Sequence, residues 1–501
     1  MPTAERRARP GCPTKVAEVR RARRRPSWRS APVLAPAVSL CCLLGAARAF
    51  AQEEVITDVR VLNAVRTDEE TVRSIAGISI GDALHGDTLD IARERLHTSG
   101  LFADVNVYWE PHKDGVRVVI AITEKFPWAP LPTFSYSPGN ISGGGLLAHG
   151  NLFGRGKRGL IAGRISNVDS GVVVAYDDPA FFGTWGFFTL KGKYQSQIIP
   201  EYSNVSYADL PLEPIRNTRL RSYGFDASAG IAWFRKVRTS FGWNIDQNDV
   251  RWSGLADANG LAQSPNPDVV AAAQAVGNPP PLAARSARRG NIMINLTFDF
   301  RARQHAIMYG NALGGTFEYA ASRWGSELWY WKISASYEHG IRFFKRHNLI
   351  VRAGGITGEN LPLWSENSAG GTNLRGYLYR QFQGDTHIRS QVEYHFPLFS
   401  IGGLDVRGLV FDDAAAIWFQ RLPEQTQDAN GNAVYVLRAD GRQFLPPAFL
   451  RQGFSASQDI HTSAGLGLRF YLRSVAVPLV GVDVGNGLGT KDVRVILVLG
   501  A

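Results

Sequence analysis

From Thr133 to Ala501 the chain reads with a period of two. In one run Trp329, Trp331, Ile333, Ala335 and Tyr337 alternate with Tyr330, Lys332, Ser334, Ser336 and Glu338. In another, Phe188, Leu190, Gly192 and Tyr194 alternate with Thr189, Lys191, Lys193 and Gln195. Successive side chains of a strand point to opposite faces, so each run builds one apolar and one polar face. Such faces belong to a transmembrane barrel with a polar lumen or, less often, to a large soluble sandwich. In hydrocarbon the only β-solution is a closed barrel, which leaves no unpaired edge. The 369 residues after Pro132 accommodate roughly fourteen to eighteen strands with long outer loops.

Composition agrees with an antiparallel transmembrane β-barrel. No stretch after the leader gives 18 consecutive apolar residues, the signal of a membrane helix. Mean hydropathy is −0.13, as expected where lipid-facing and lumen-facing residues cancel. The net charge is +11, but residues 1–51 hold eleven basic and two acidic side chains, +9 of that total, leaving +2. The basic balance therefore belongs to a leader and predicts no nucleic-acid partner. Residues 1–51 read as a signal peptide: a basic region to Arg29, an uncharged run from Ala31 to Ala47, and Ala49-Phe50-Ala51 for cleavage. All three cysteines (Cys12, Cys41, Cys42) lie in it, so the mature chain is expected to have no thiol chemistry.

Residues 52–125 read as one small α/β unit. Val55–Val65 is strand-like, and Asp68–Ile78 is a helix capped by Asp68, with Val72, Ile75 and Ala76 on one face. Asp87–Ser99 is a second helix, with Leu89, Ala92 and Leu96 on one stripe and Gly100 ending it. Asp104–Trp109 and Val116–Thr123 complete the order βααββ. Phe126–Pro132 reads as a proline-rich linker before a barrel over 133–501. Leu255–Asn291 and Arg421–Gln452 read as external loops. Trp185, Trp324, Trp364 and Trp418 are candidates for interface girdles.

Four motifs occur in order: Gly370–Gly376 (GGTNLRG), Arg389–Phe396 (RSQVEYHF), Arg407–Trp418 (RGLVFDDAAAIW) and His461–Phe470 (HTSAGLGLRF). Each alone is an ordinary turn or strand. Together they resemble the barrel of the BamA/TamA superfamily (bacterial surface antigen family), in which a loop motif reads Val/Ile/Leu-Arg-Gly-Phe/Tyr. Leu374, Arg375, Gly376 and Tyr377 match it. Phe411 and Asp413 match the family's Phe-x-Asp strand motif. Asn151–Gly156 (NLFGRG) and Asp177–Gly183 (DDPAFFG) also resemble family signatures, and Arg95–Val107 resembles part of a POTRA domain. The resemblance implies sixteen strands, an outer-membrane location, and one POTRA-like domain in the periplasm. It also implies that Arg375 descends into the lumen to meet acids. Strand parity offers Glu393, which shares a face with Arg389, Gln391 and His395, and Asp413, which shares one with Phe411. Asp412 is then directed at lipid unless a bulge resets the parity. An Arg–carboxylate pair here serves a conformational or biogenesis role, or only staples the barrel.

The histidines lack metal spacing, and no GxSxG, HExxH or CxxC occurs, so no enzyme activity, catalytic residue, metal or cofactor is expected. The resemblance implies a protein that assists insertion or translocation of other proteins. Its expected partners are outer-membrane lipid, unfolded outer-membrane or secreted clients, and accessory assembly proteins. An exposed POTRA strand would pair with extended clients through Asp104, Val105, Asn106, Val107 and Tyr108. The barrel seam, between Thr133–Ser137 and Asp492–Leu499, would open to admit them. The alternatives are a secretion pore dedicated to one partner protein and a passive outer-membrane channel.

Overall fold

The computed structural model describes residues 54–181, 185–202, 214, 216–233, 236–254, 285–304, 306–422, 425–427, 431, 433–435, 450–472, 479–488, 490 and 493–499. The expected leader and most of both expected external loops lie outside these residues, although Ala287–Asn291 already belongs to a strand.

The first unit runs β1 (Ile56–Leu62), α1 (Glu69–Ala76), α2 (Thr88–Thr98), β2 (Phe102–His112) and β3 (Gly115–Glu124). Its sheet order is β1-β3-β2, with β1 parallel and β2 antiparallel to β3. Val72 and Ala76 of α1 and Ala92 and Leu96 of α2 form one core with Val59, Val61, Val105, Val107, Val118 and Ile120. Gly77, in the left-handed region at φ 68°, ends α1. Asp68 stands at the N-cap but makes no side-chain cap, contrary to expectation. Its carboxylate lies 3.4 Å from Arg155 instead.

The second part is a closed barrel. Its strands are β4 (Trp128–Ser137), β5 (Asn140–Leu152), β6 (Lys157–Ser166), β7 (Asp169–Phe181), β8 (Gly186–Glu201), β9 (Arg216–Trp233), β10 (Val237–Gly254) and β11 (Ala287–Asp299). Next come β12 (Ala302–Gln304), β13 (Ile307–Ala320), β14 (Tyr330–Phe343) and β15 (His347–Glu359). A small hairpin, β16 (Asn367–Ala369) and β17 (Phe382–Gly384), precedes β18 (Thr386–Ile401) and β19 (Leu404–Trp418). A second small hairpin, β20 (Gln425–Gln427) and β21 (Ala433–Tyr435), precedes β22 (Ile460–Leu472), β23 (Val480–Gly487) and β24 (Val493–Leu499). β12 continues β11 along β13, so sixteen strands span, all antiparallel, and β24 closes on β4.

Alternation sets the two faces. On β9, Thr218, Leu220 and Ser222 are buried toward the lumen, while Tyr223, Phe225 and Trp233 are exposed outside. The turn 151–156 between β5 and β6 marks the POTRA end. There Asn151 Nδ2 donates to Thr67 Oγ1 at 2.8 Å, and the Asp68 amide donates to the Gly154 carbonyl at 2.9 Å. Trp185 and Trp233 meet outside at this end, with rings 5.5 Å apart. Trp364 is no girdle residue: it packs with Leu363 against Ile199 and Leu220 inside the barrel.

The expected linker also needs correction, because Trp128–Pro132 already forms part of β4. Pro127 accepts from the Gly150 amide, so odd positions of β4 bond to β5 and even positions face the seam. Pro130 and Pro132 are even, so their missing N–H groups break no bond to β5.

Candidate functional site

The segment between β15 and β18 does not stay at the surface. Leu361, Leu363, Ser365, Asn367, Ala369, Leu374, Arg375 and Tyr377 are all buried. The chain enters the lumen through the β16–β17 hairpin, whose tip is the Gly370–Tyr379 stretch. Gly376 has φ 93°, and a Cβ there would lie 2.6 Å from the Gly487 amide nitrogen. Only glycine lets the tip lie against β23 at this point. Leu374 and Tyr377 then pack with Ala369, Ala415 and Ile417, while Phe382 stacks on His461 at 3.5 Å.

Arg375 is 3% exposed. Its Nε donates to Asp413 Oδ2 at 2.7 Å and its Nη2 to Asp413 Oδ1 at 2.6 Å, a two-pronged contact. The Arg375 amide also donates to Asp413, at 3.1 Å. Nη1 donates to Glu393 at 2.8 Å and to Asp483 at 3.1 Å. The guanidinium carbon stands 3.5 Å from the centre of the Phe411 ring, a cation–π contact. The structure thus brings Arg375, Glu393, Asp413 and Phe411 together. Leu374, Gly376 and Tyr377 are the backbone and packing that hold the arginine there.

Two further arginines complete the cluster. Arg469 donates to Asp483 at 2.5 and 2.9 Å. Arg352 donates to Glu393 at 3.0 Å, and His395 Nε2 lies 3.1 Å from the same carboxylate. Glu393, Asp413 and Asp483 are each paired with one or more of Arg352, Arg375 and Arg469, and Arg352 carries the network on to Glu338. Pairing of this kind is what buried charges need, because an unpaired buried charge is costly. Asp483 signals itself in the sequence as the one charge on a face otherwise made of Gly481, Gly485 and Gly487. Its pairing with Arg375, 108 residues away, does not. No bulge intervenes at Asp412, which is exposed on the outer wall between Val392 and Ala464.

The loop tip also bonds to the turn after β4 and, on the other side, to β22 and the residue after β23. The Tyr379 amide donates to the Pro138 carbonyl, in the turn after β4, at 3.0 Å. On the other side Tyr377 Oη donates to the Thr462 carbonyl at 2.9 Å and lies 3.3 Å from that of Leu488, which follows β23. Between these points, among the described residues, β24 and β4 are joined by three residue pairs: Leu497–Tyr136, Val498–Ser135 and Leu499–Phe134.

In the POTRA-like unit, β2 pairs with β3 alone, so Asp104–Tyr108 lie on an edge strand. Asp104, Asn106 and Tyr108 are exposed, while Val105 and Val107 point into the core.

A model of the Omp85 superfamily domain matches residues 151–474. A POTRA model, described as the surface antigen variable number repeat, matches residues 54–125. Among curated proteins none matches the chain. The crystal structure of BamA from Haemophilus ducreyi lacking POTRA domains 1–3 is similar, with TM-score 0.60 at 14% identity over 89% of this chain and 84% of that one. CdiB from Acinetobacter baumannii has TM-score 0.54 at 11% identity, over 89% of this chain and 74% of that one. CdiB from Escherichia coli has TM-score 0.53 at 11% identity, over 89% and 76%. The family model covers well over half of the sequence, and the chain belongs to the Omp85 superfamily.

Proposed function

We propose that this protein assists insertion or translocation of other proteins at the bacterial outer membrane, with its POTRA-like unit in the periplasm. Extended clients pair with the outer edge of β2, displacing Arg93 from the Val107 carbonyl and the Asp104 side chain from the Val105 amide, and pass to the seam between β24 and β4. The observation that carries this reading is the loop tip held by Arg375, which bonds to the turn after β4 and to the residue after β23, beside a seam of three residue pairs among the described residues. Even positions of β4 face the seam, so Phe134 and Tyr136 carry its ladder bonds. Two such pairs supply about four bonds, roughly 2–6 kcal/mol at the net value for a backbone bond. That is small enough for a client strand to exchange against. No step needs a nucleotide or metal: strand pairing and membrane burial of the client drive the process.

Omp85 barrels handle protein clients, which leaves two forms of this reading, a general insertase and a pore dedicated to one partner. The buried loop counts against a passive channel, because it occupies the lumen. Depletion of the protein followed by quantitative outer-membrane and secreted proteomics tests the proposal. Loss of many barrel proteins identifies an insertase, and loss of one protein or a small set identifies a dedicated transporter. An unchanged profile refutes both.

A further inference from the structure

We propose that an entering client strand pairs with the seam edge of β24, and that Pro130, Pro132 and Pro138 bar it from the facing edge of β4. This deepens the reading above and rests on it, because an edge is offered only when the seam opens. A residue of a strand points its N–H and C=O to one side, and the next residue points them to the other. The Gly150 amide bonds to the Pro127 carbonyl, and the pairing of β4 with β5 runs from Trp128 to Ser137 without a register shift. Odd positions therefore serve β5 and even positions the seam. The stretch from Trp128 reads WAPLPTFSYSP, and its three prolines, at 130, 132 and 138, all fall on even positions. Proline has no N–H to donate. Between positions 129 and 138 the seam side of the chain thus donates at two residues, Phe134 and Tyr136, and these face Leu499 and Leu497 of β24. The Pro138 carbonyl, in the turn that follows β4, is taken by the Tyr379 amide of the loop tip at 3.0 Å.

The edge of β24 is built differently. Its sequence, VRVILVL, holds no proline. Leu497 and Leu499 face the seam by their pairing with Tyr136 and Phe134, and Val493 and Val495 share their parity. Each of these four residues offers both an N–H and a carbonyl to a strand laid alongside. A strand laid antiparallel on β4 finds no donor for its own carbonyls opposite Pro130 and Pro132. In hydrocarbon no water replaces the missing donor, so each such carbonyl is costly. The same strand laid on β24 meets a donor at every seam-facing position. Proline on the open side of an edge strand is also a device that keeps sheets from pairing with other chains. Here it acts on one side of the seam alone: both prolines inside β4 leave the ladder to β5 whole and remove donors from the edge that faces β24.

The test uses a synthetic peptide of alternating valine and threonine with one central cysteine, activated as a mixed disulfide with thionitrobenzoate. The full chain, with Cys12, Cys41 and Cys42 replaced by serine and carrying either Val498→Cys or Ser135→Cys, is placed in phosphatidylcholine nanodiscs. Capture of the peptide is read by mass spectrometry, relative to capture of a small strandless disulfide of the same leaving group. Val498→Cys on β24 should capture the peptide about tenfold better than Ser135→Cys on β4, the effect of two donor bonds. Pro130→Thr with Pro132→Thr restores both donors and should raise capture at Ser135→Cys about tenfold relative to Val498→Cys. If heat-modifiable migration shows that this double variant does not fold, each proline replaced singly should give a rise of about threefold. Equal capture at the two cysteines, better capture at Ser135→Cys, or no rise in a folded proline variant overturns the proposal while seam opening stands. Capture at neither cysteine refutes seam opening itself, and this inference falls with it.

Discussion

Replacing Arg375 by alanine removes four side-chain hydrogen bonds to three carboxylates. Arg352 and Arg469 still pair with Glu393 and Asp483. Asp413, 0% exposed, keeps only the Arg375 amide and a 3.4 Å contact to Gln391. Breaking a buried pair in this way costs about 3–5 kcal/mol, which lowers the docking equilibrium constant of the loop by roughly a hundredfold or more. Arg375→Lys should recover little, because one ammonium cannot span Asp413 in two-pronged fashion and reach Glu393 as well. Asp413→Ala in the Arg375→Ala background should recover part of the loss, because it removes the uncompensated charge. Asp412→Asn, one residue away on the outer wall, should change little. The assay is protease protection of the 360–385 loop in the purified full chain, with single-channel recording as a second readout. Arg375→Ala should be cut readily and conduct through a wider, flickering lumen. Wild-type protection and conductance in Arg375→Ala would refute the reasoning.

Gly376→Ala should also undock the loop, by steric contact with β23 rather than by lost charge, so its cleavage should not be relieved by Asp413→Ala. A photo-crosslinker placed at Asn106 or Tyr108 should capture client protein during transport, whereas one at core-facing Val107 should not. Equal yields at all three would count against edge pairing. In the POTRA-like unit, the Arg117 guanidinium, 2.5 Å from Asp58, holds the Asp58 carboxyl below its ordinary range. The stability it adds is fully present above the unfolded value near 3.9 and is lost as pH falls through the lower folded value. Asp58→Asn should therefore reduce amide protection of β1–β3 modestly at pH 7, with the difference fading only as the pH falls below the lowered folded value, as read by hydrogen exchange.

The parts of this structure that depend on parity were legible in the sequence, and those that depend on register were not. Period two separates lumen from lipid along each strand, which selects Glu393 and Asp413 and sends Asp412 outward. The motif order points to Arg375 as the group they meet. Parity says nothing about which strands lie side by side, so Asp483, Arg469 and Arg352 escaped notice although each is an inward charge on a strand of the right pattern. Proline misled at 130 and 132, where a composition that suggests a linker is tolerated because the missing donors point away from β5. Trp364 misled because a tryptophan in a loop suits a girdle until that loop is known to enter the lumen. The contacts of Tyr379 with Pro138 and of Tyr377 with Thr462 depend on the barrel closing, which no local pattern records.

The central claim is that the seam opens for clients, and a disulfide across it tests this most directly. Ser135 and Val498 face each other across the seam at a pair without ladder bonds, where Cα atoms lie about 4.5 Å apart, within disulfide reach. Ser135→Cys with Val498→Cys in a chain whose own Cys12, Cys41 and Cys42 are replaced by serine, reconstituted in liposomes, should stop client insertion or translocation when oxidised and regain it on reduction. An oxidised, fully crosslinked protein that works at the reduced rate would contradict the account.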